Sequence, residues 1–531
     1  MTAIHKKKFP IGIQTFSKVR ENDAYYYVDK TQKIMEMIDI SKYIFLSRPR
    51  RFGKSLTLDT IAELYAGNKT LFTGLYAEQH WDWGVSYPII RFNFAKGVEK
   101  TLAGLHNSLI TQIKNNAQVL NVELQENERV AWLFNNLITA TAQQYQSRVV
   151  ILIDEYDKPI LDNLDNDGTA DYATAMQMRD GLRDFYSVIK GQDANICFAM
   201  LTGVSKFSKI NLFSGLNILL DITLDDRFSS LCGYTQQELE SVFAPELHDV
   251  NLAELKRWYN GYNWGGESVY NPFDILLYLN SSKKLFKDYW IETGNTTFLL
   301  DKIINEQVNI AQIKNELADH DILSSFEVGN ISPIALMFQT GYLTIDHIQI
   351  RAGSEFYRLK FPNMEVQQSF NQLLLNQYLG KKVNTSPVRF NIYDALMQSN
   401  LEQVQGIIKA FFASIPHDWH RNNPIAQYEG YWASVFYALC ASLGFTTITE
   451  DATSVGNIDL TLIIEKGVGM QAKNIVYIFE FKVKKSNATG TALQQIQAKQ
   501  YADKYRSDDN VIYQIGVEFD AERREVVFDV A

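Results

Sequence analysis

Residues 43–59 read YIFLSRPRRFGKSLTLD, and the fold turns on how this stretch is read. Tyr43-Ile44-Phe45-Leu46 is an apolar run suited to a buried strand. A short basic loop follows, with Arg48, Pro49, Arg50, Arg51 and Phe52. Gly53-Lys54-Ser55 then opens a pattern carrying Leu56, Leu58, Ile61 and Leu64, which predicts a helix. Strand, loop, Gly-Lys-Ser and helix is the layout of a nucleotide phosphate-binding loop. In such a loop backbone N–H groups at the helix N-terminus, here from Phe52 to Leu56, hold the phosphates. Lys54 reaches the outer ones and the Ser55 hydroxyl ligates Mg²⁺. The departure is Arg48, which occupies the first glycine position of GxxxxGK(S/T). Glycine there permits a tight turn under the phosphates. Arginine followed by proline implies another loop path. Arg48, Arg50 and Arg51 could add charge for phosphate binding, or could equally mark slow hydrolysis or binding without turnover.

A second element supports the loop. Val149–Ile153 is a continuous β-branched run ending in Asp154-Glu155. This is the Walker B arrangement, in which Asp154 holds the Mg²⁺ shell and Glu155 polarises the attacking water. The bland alternative for Asp154 is a helix cap after a strand. A third run, Ile196–Leu201, ends in Thr202-Gly203-Val204-Ser205-Lys206. Thr202 is the first choice for a polar γ-phosphate sensor and Ser205 the second. Arg227 reads as a solvated arginine before it reads as an arginine finger. Further strands are expected at Tyr87–Phe94 and Asn217–Thr223, and helices at Leu102–Ile113 and Glu128–Tyr145. Apolar strands alternating with helices predict a parallel sheet covered on both faces.

The chain has 531 residues and 46% hydrophobic content, enough for several packed domains. Net charge is −10, which disfavours a protein coated in nucleic acid but leaves room for a local basic groove. Cys197, Cys232 and Cys440 are too far apart for metal-ligand spacing, and their usage fits a reducing cytoplasm. No apolar run approaches membrane-spanning length, so no membrane is expected.

The C-terminal third carries a different pattern. Asn457–Ile463 and Tyr477–Val483 are strand candidates. The first holds Asp459; the second holds Glu480 and Lys482 two apart, on one sheet face. Two carboxylates on adjacent strands can share a divalent ion, Mg²⁺ or Mn²⁺. A lysine beside them can activate water or stabilise phosphorane charge. The alternative is charged residues on a solvated strand. The Asp459, Glu480 and Lys482 pattern resembles the core of PD-(D/E)XK nucleases, and that resemblance makes Glu429, on a predicted helix before the core, a candidate additional acid and likens a helix over Ala492–Tyr505, with Gln495, Lys499 and Tyr501, to the segment that follows the core there. Residues 416–531 hold 11 Lys and Arg against 15 Asp and Glu, a balance that argues against a strong grip on nucleic acid. Lys482, Lys484 and Lys485 are a local basic patch.

IGIQTF with YVDKT, RPRRFGKS, LIDEYDKPI, LTGVSK with FSGLN, and WYNGY with YNPF fall in order along most of the chain. Together they resemble AAA-ATPase-like bacterial proteins, many of which carry a C-terminal PD-(D/E)XK nuclease-like domain. The resemblance makes Arg48 a family trait and implies that Asp29 and Lys30 lie near the nucleotide. Ile458 replaces the proline that names the nuclease motif. The expected fold is α/β: a P-loop NTPase with a parallel sheet and helices on both faces, a helical or winged lid, and a restriction-endonuclease-like α/β domain. The expected boundaries are 1–229, 230–363, a helical connector 364–415, and 416–531. The expected function is ATP binding and hydrolysis gating a metal-dependent nuclease, with ATP and Mg²⁺ as cofactors. Nucleic acid is a candidate partner, and an oligomer is compatible with the sequence. The rival is a nucleotide-dependent regulator or scaffold whose C-terminal domain binds without cleaving. A protein-remodelling ATPase is a weaker third reading.

Overall fold

Continuous apolar runs rather than alternating ones become strands buried on both faces. β1 (Tyr43–Ser47) and β3 (Val149–Asp154) are buried at every position. With β2 (Ile89–Asn93), β4 (Ile196–Gly203) and β5 (Leu220–Asp221) they form one sheet in the order β2-β3-β4-β1-β5, with every pairing parallel. The computed structural model describes residues 7–531 except 96, 165–171, 208–217, 291–296, 307, 309, 311–312, 314–316, 325–327, 329–330, 380–384, 414–428, 469–470, 484–490 and 521–524. The FSGLN block, Asn217, Lys484 and Lys485 therefore lie outside the described residues.

Because β4 inserts between β1 and β3, Leu46 pairs with Thr202 and Leu201 with Ile153. The carboxyl ends of the three strands thus lie side by side, which is where open parallel sheets bind ligands. Helices Leu102–Val119, Val130–Tyr145 and Ala173–Gly191 pack on one another, and helix Lys54–Tyr65 packs on β3 and β4. The strand expected over Asn217–Thr223 is reduced to Leu220–Asp221. The Asp221 carboxylate accepts the Thr223 N–H at 2.9 Å, a local turn that ends it.

Contacts divide the chain into two compact units: Met1–Gly294 with Leu317–Asn363, and Asn295–Glu316 with Met364–Ala531. The first unit also holds β6 (Leu317–Asp319), β7 (Thr344–Arg351) and β8 (Ser354–Lys360), an antiparallel sheet in the order β6-β8-β7. Helix Pro333–Thr340 precedes β7, with Pro333 to Gln339 buried.

The second unit is built on β9 (Thr446–Thr453), β10 (Gly456–Ile464), β11 (Asn474–Val483), β12 (Asn510–Asp520) and β13 (Glu525–Val530). Their order is β13-β12-β11-β10-β9, with only β11 and β12 parallel. The helix expected over 492–505 is interrupted. It runs from Ala492 to Ala498, Gln500 turns with φ +48°, and a 3₁₀ turn covers Tyr501–Tyr505.

Candidate functional sites

The loop of the first unit turns through two left-handed residues, Arg51 at φ +69° and Gly53 at φ +94°, before helix Lys54–Tyr65 begins. The Lys54 ammonium is buried and donates to the carbonyls of Arg48 at 2.8 Å and Pro49 at 2.9 Å. Burial pushes this amine below its ordinary value, while Asp154 pulls the other way. Gly53, Ser55 and Leu56 are half-buried at the helix start, and Phe52 is buried against Tyr262 and Trp264. Arg50 is exposed.

Arg48 does not supply charge to the phosphate face. Its guanidinium is fully buried and donates to the carbonyls of Ser47 at 2.9 Å, Thr223 at 2.8 Å and Phe228 at 3.1 Å. It lies 4.2 Å from the centre of the Trp264 ring. Burial lowers its pKa to about 10. Arg51 stacks 3.8 Å over Phe273 of the YNPF block. The arginines at 48 and 51 thus contact residues well downstream in the same unit. Sequence spacing along the loop could not show this.

At the end of β3, Asp154 is buried and accepts the Thr202 hydroxyl at 2.8 Å. Glu155 sits at φ +51°, a backbone cost of about 1–3 kcal/mol typical of functional positions. Burial and then the Asp154 charge raise its pKa. Thr202, Asp154 and Lys54 thus gather at one end of the sheet. Ser205, the second sensor choice, instead donates its hydroxyl to Asp157 at 2.7 Å. Asp157 is the residue that sequence reasoning passed over. Its buried carboxylate also accepts the N–H groups of Val204 at 3.0 Å and Ser205 at 2.6 Å. The signal was the fourth position of the Asp-Glu-Tyr-Asp run. Arg227 is exposed and held by Asp225 through two hydrogen bonds of 2.9 and 2.6 Å.

Gly203 joins these groups. A Cβ there would lie 2.5 Å from Asp157 Oδ1 and 2.6 Å from the Tyr156 ring. Gly203→Ala is therefore expected to destabilise the first unit by about 1–3 kcal/mol, read as a lower urea midpoint. An unchanged midpoint would show that the turn can yield.

Asp29 accepts the Thr31 N–H at 2.8 Å and the Tyr76 N–H at 2.7 Å, so it braces the start of helix Thr31–Ile40. Lys30 donates to Ser230 O at 2.8 Å and to Glu238 at 2.6 Å. It lines a cavity with Tyr26, Gly53, Leu56, Thr57 and Tyr234.

In the second unit β10 pairs with β11 up to Leu460 and Phe479. Asp459 and Glu480 are the next residues on each strand and face each other on one side of the sheet. Asp459 accepts the Phe481 N–H at 2.7 Å. Glu480 is buried, and Gln495 donates to its Oε1. Its Oε2 is buried without a hydrogen-bond partner among the described residues. Burial, with Asp459 opposite, pushes the Glu480 pKa up to about 8. Lys482 follows two residues on and donates to Thr491 O at 3.3 Å. An orphaned buried carboxylate oxygen facing a second carboxylate fits a divalent cation. Among the described residues no group of three or more His, Cys, Asp or Glu converges as a metal cluster. Glu429 begins helix Glu429–Ala441, but its side chain lies outside what is described. Sequence reasoning did not single out Glu518. It pairs in register with Lys482 and accepts the Ala492 N–H at 3.2 Å, tying the Gln495 helix to the sheet.

Residues 10–213 match the AAA-ATPase-like family, described as "Predicted AAA-ATPase". Residues 427–529 match the PD-(D/E)XK nuclease superfamily. The chain is 49% identical over 522 residues to a protein of Azotobacter chroococcum mcd 1 described as "Uncharacterized protein in vnfD 5'region", covering 98% of each. No helix among the described residues is long and apolar enough to cross a membrane. With its two matched segments in this order, and the relative aligned along nearly its whole length, the chain belongs to the AAA-ATPase-like proteins that carry a C-terminal PD-(D/E)XK nuclease superfamily domain.

Proposed function

We propose that the chain binds and hydrolyses ATP at the loop of the first unit, and that its nucleotide state gates metal-dependent cleavage of nucleic acid phosphodiesters in the second. The carrying observation is the strand order that puts β4 between β1 and β3, so that Lys54, Asp154, Glu155 and Thr202 share one end of the sheet. Lys54 meets the outer phosphates, Arg50 and Arg51 flank them, and Glu155 orients the attacking water. Ser55 and Asp154 hold the Mg²⁺ that accompanies ATP. The cavity beside Gly53 and Lys30 takes the base. In the second unit Asp459 and Glu480 hold a divalent ion, Mg²⁺ or Mn²⁺, with Glu429 as an additional acid. Bound there, such an ion would supply charge neutralisation at the phosphate and a more acidic water. Lys482 stabilises the developing negative charge. Three free cysteines accord with a cytoplasmic protein. A second reading, a regulator that binds nucleic acid without cutting it, draws on the acidic balance of residues 416–531.

The test is cleavage of labelled DNA and RNA by wild type, Glu480→Ala and Lys482→Ala, with Mg²⁺ or Mn²⁺ and with ATP or a non-hydrolysable analogue. Wild type should cut, and both variants should lose about 10²-fold or more. Equal cutting by the variants would remove the nuclease assignment. Equal cutting with both nucleotides would remove the gating. Binding without cutting by wild type would favour the regulator.

A further inference from the structure

The turn after β4 is held almost entirely by side chains. The N–H groups of Val204 and Ser205 go to Asp157, and that of Phe207 goes to the Tyr156 hydroxyl at 3.2 Å. Tyr156 donates in turn to Ser205 O at 2.8 Å, and Ser47 Oγ donates to Val204 O at 2.7 Å. Each of these partners lies on β1 or just after β3. The exception is Lys206. Its N–H donates to Gln339 Oε1 at 3.0 Å, and Gln339 lies 133 residues away on helix Pro333–Thr340.

Gln339 is buried, and its own amide donates to Leu323 O at 2.9 Å. One side chain therefore links the turn that follows Thr202 to two helices of the β6–β8 module, His320–Ser324 and Pro333–Thr340. A second contact reinforces the link. A Cβ at Gly341, next to this helix, would lie 2.8 Å from the Pro49 ring of the loop. A helix buried from Pro333 to Gln339 has no free face with which to read a nucleic acid groove. Its polar group is directed inward, to the nucleotide end of the sheet.

We propose that Gln339 is a positioning residue for ATP hydrolysis: it fixes the Lys206 N–H, and through the turn it sets Thr202 against Asp154. The proposal rests on the reading of the loop as an ATPase. Removing the acceptor leaves a buried N–H unpaired, and the turn must shift to recover a partner. Thr202 acts at the reacting phosphate rather than on the bulk of the nucleotide. The loss therefore falls on turnover and spares affinity.

The experiment uses the full chain, ATP with Mg²⁺, and three variants. Gln339→Leu is expected to lower kcat by about tenfold or more, with the Kd for ATP within about twofold of wild type. It should also speed amide hydrogen exchange at Lys206. Gln339→Glu keeps the acceptor for the Lys206 N–H but gives up the amide that Leu323 O accepts, so it should recover part of the kcat that Gln339→Leu loses. Met337→Leu, a volume-conserving change on the same buried helix, should behave as wild type. Wild-type kcat in Gln339→Leu despite faster exchange would overturn the proposal. So would equal losses in Gln339→Leu and Met337→Leu, which indicate a packing role. A wild type that neither binds nor hydrolyses ATP would defeat the functional reading itself and the inference with it. Intact wild-type turnover with an insensitive Gln339 would defeat the inference alone.

Discussion

Glu155→Gln is expected to lower ATP turnover by about 10²–10⁴-fold while ATP binding is kept, the range by which a positioned base contributes. The amide matches the carboxylate in size, so the backbone at φ +51° can be retained. What disappears is the charge beside Asp154. Burial and that neighbouring charge both raise the Glu155 pKa, which brings a carboxylate nearer the range where it accepts a proton from water. Lys54→Ala should fail differently. It removes the cation itself, so affinity falls with turnover. It also frees the carbonyls of Arg48 and Pro49, which now accept its hydrogen bonds. Calorimetry separates the two, because the first variant should still release heat with ATP and the second should not. If Glu155→Gln turns over ATP at the wild-type rate, the water is positioned elsewhere and the assignment fails.

The second large effect concerns Glu480 and pH. Its pKa is pushed from 4.5 up to about 8, first by burial and then by Asp459. A group raised in this way is protonated in the folded, metal-free protein at neutral pH. A cation must displace that proton, so metal affinity at this site should rise about tenfold per pH unit up to about pH 8 and then level off. For folding the sign is opposite. The stability contribution is fully present below 4.5 and is lost as pH rises toward about 8. With solvent screening, the loss is of order 1–3 kcal/mol. Glu480→Gln should therefore melt higher than wild type at pH 8.5 without metal, and should no longer bind Mn²⁺. A Mn²⁺ affinity in wild type that is flat from pH 6 to pH 8 would refute this account.

The strands that carry chemistry were legible because burial on both faces writes itself as unbroken apolar sequence. Val149–Asp154 and Ile196–Gly203 are the clearest cases. That Glu480 and Lys482 share a face was legible because side chains along a strand alternate with a period of two. β9 was not, since its buried positions, Thr447, Thr449 and Asp451, are themselves polar and Thr446–Thr453 holds no apolar run. Arg48 misled for a different reason. An arginine in a phosphate loop is read by its charge, whereas its destination depends on Trp264 and Phe228, more than 150 residues later. The roles of Asp157 and Gln339 were hidden for the same reason, because each serves backbone groups of a turn that exists only once β4 is in place.

The chain crosses between the two units three times, after Gly294, after Glu316 and after Asn363. The middle excursion carries helix Thr297–Asn305, which packs on helix Met364–Leu379 of the second unit. A single protease nick at any one crossing therefore leaves both products still holding pieces of the same core. A C-terminal fragment begun at 364, or at 416, would also lack the cover of that helix. Separating the two units by truncation thus calls for a permuted fragment that takes residues 295–316 along with 364–531.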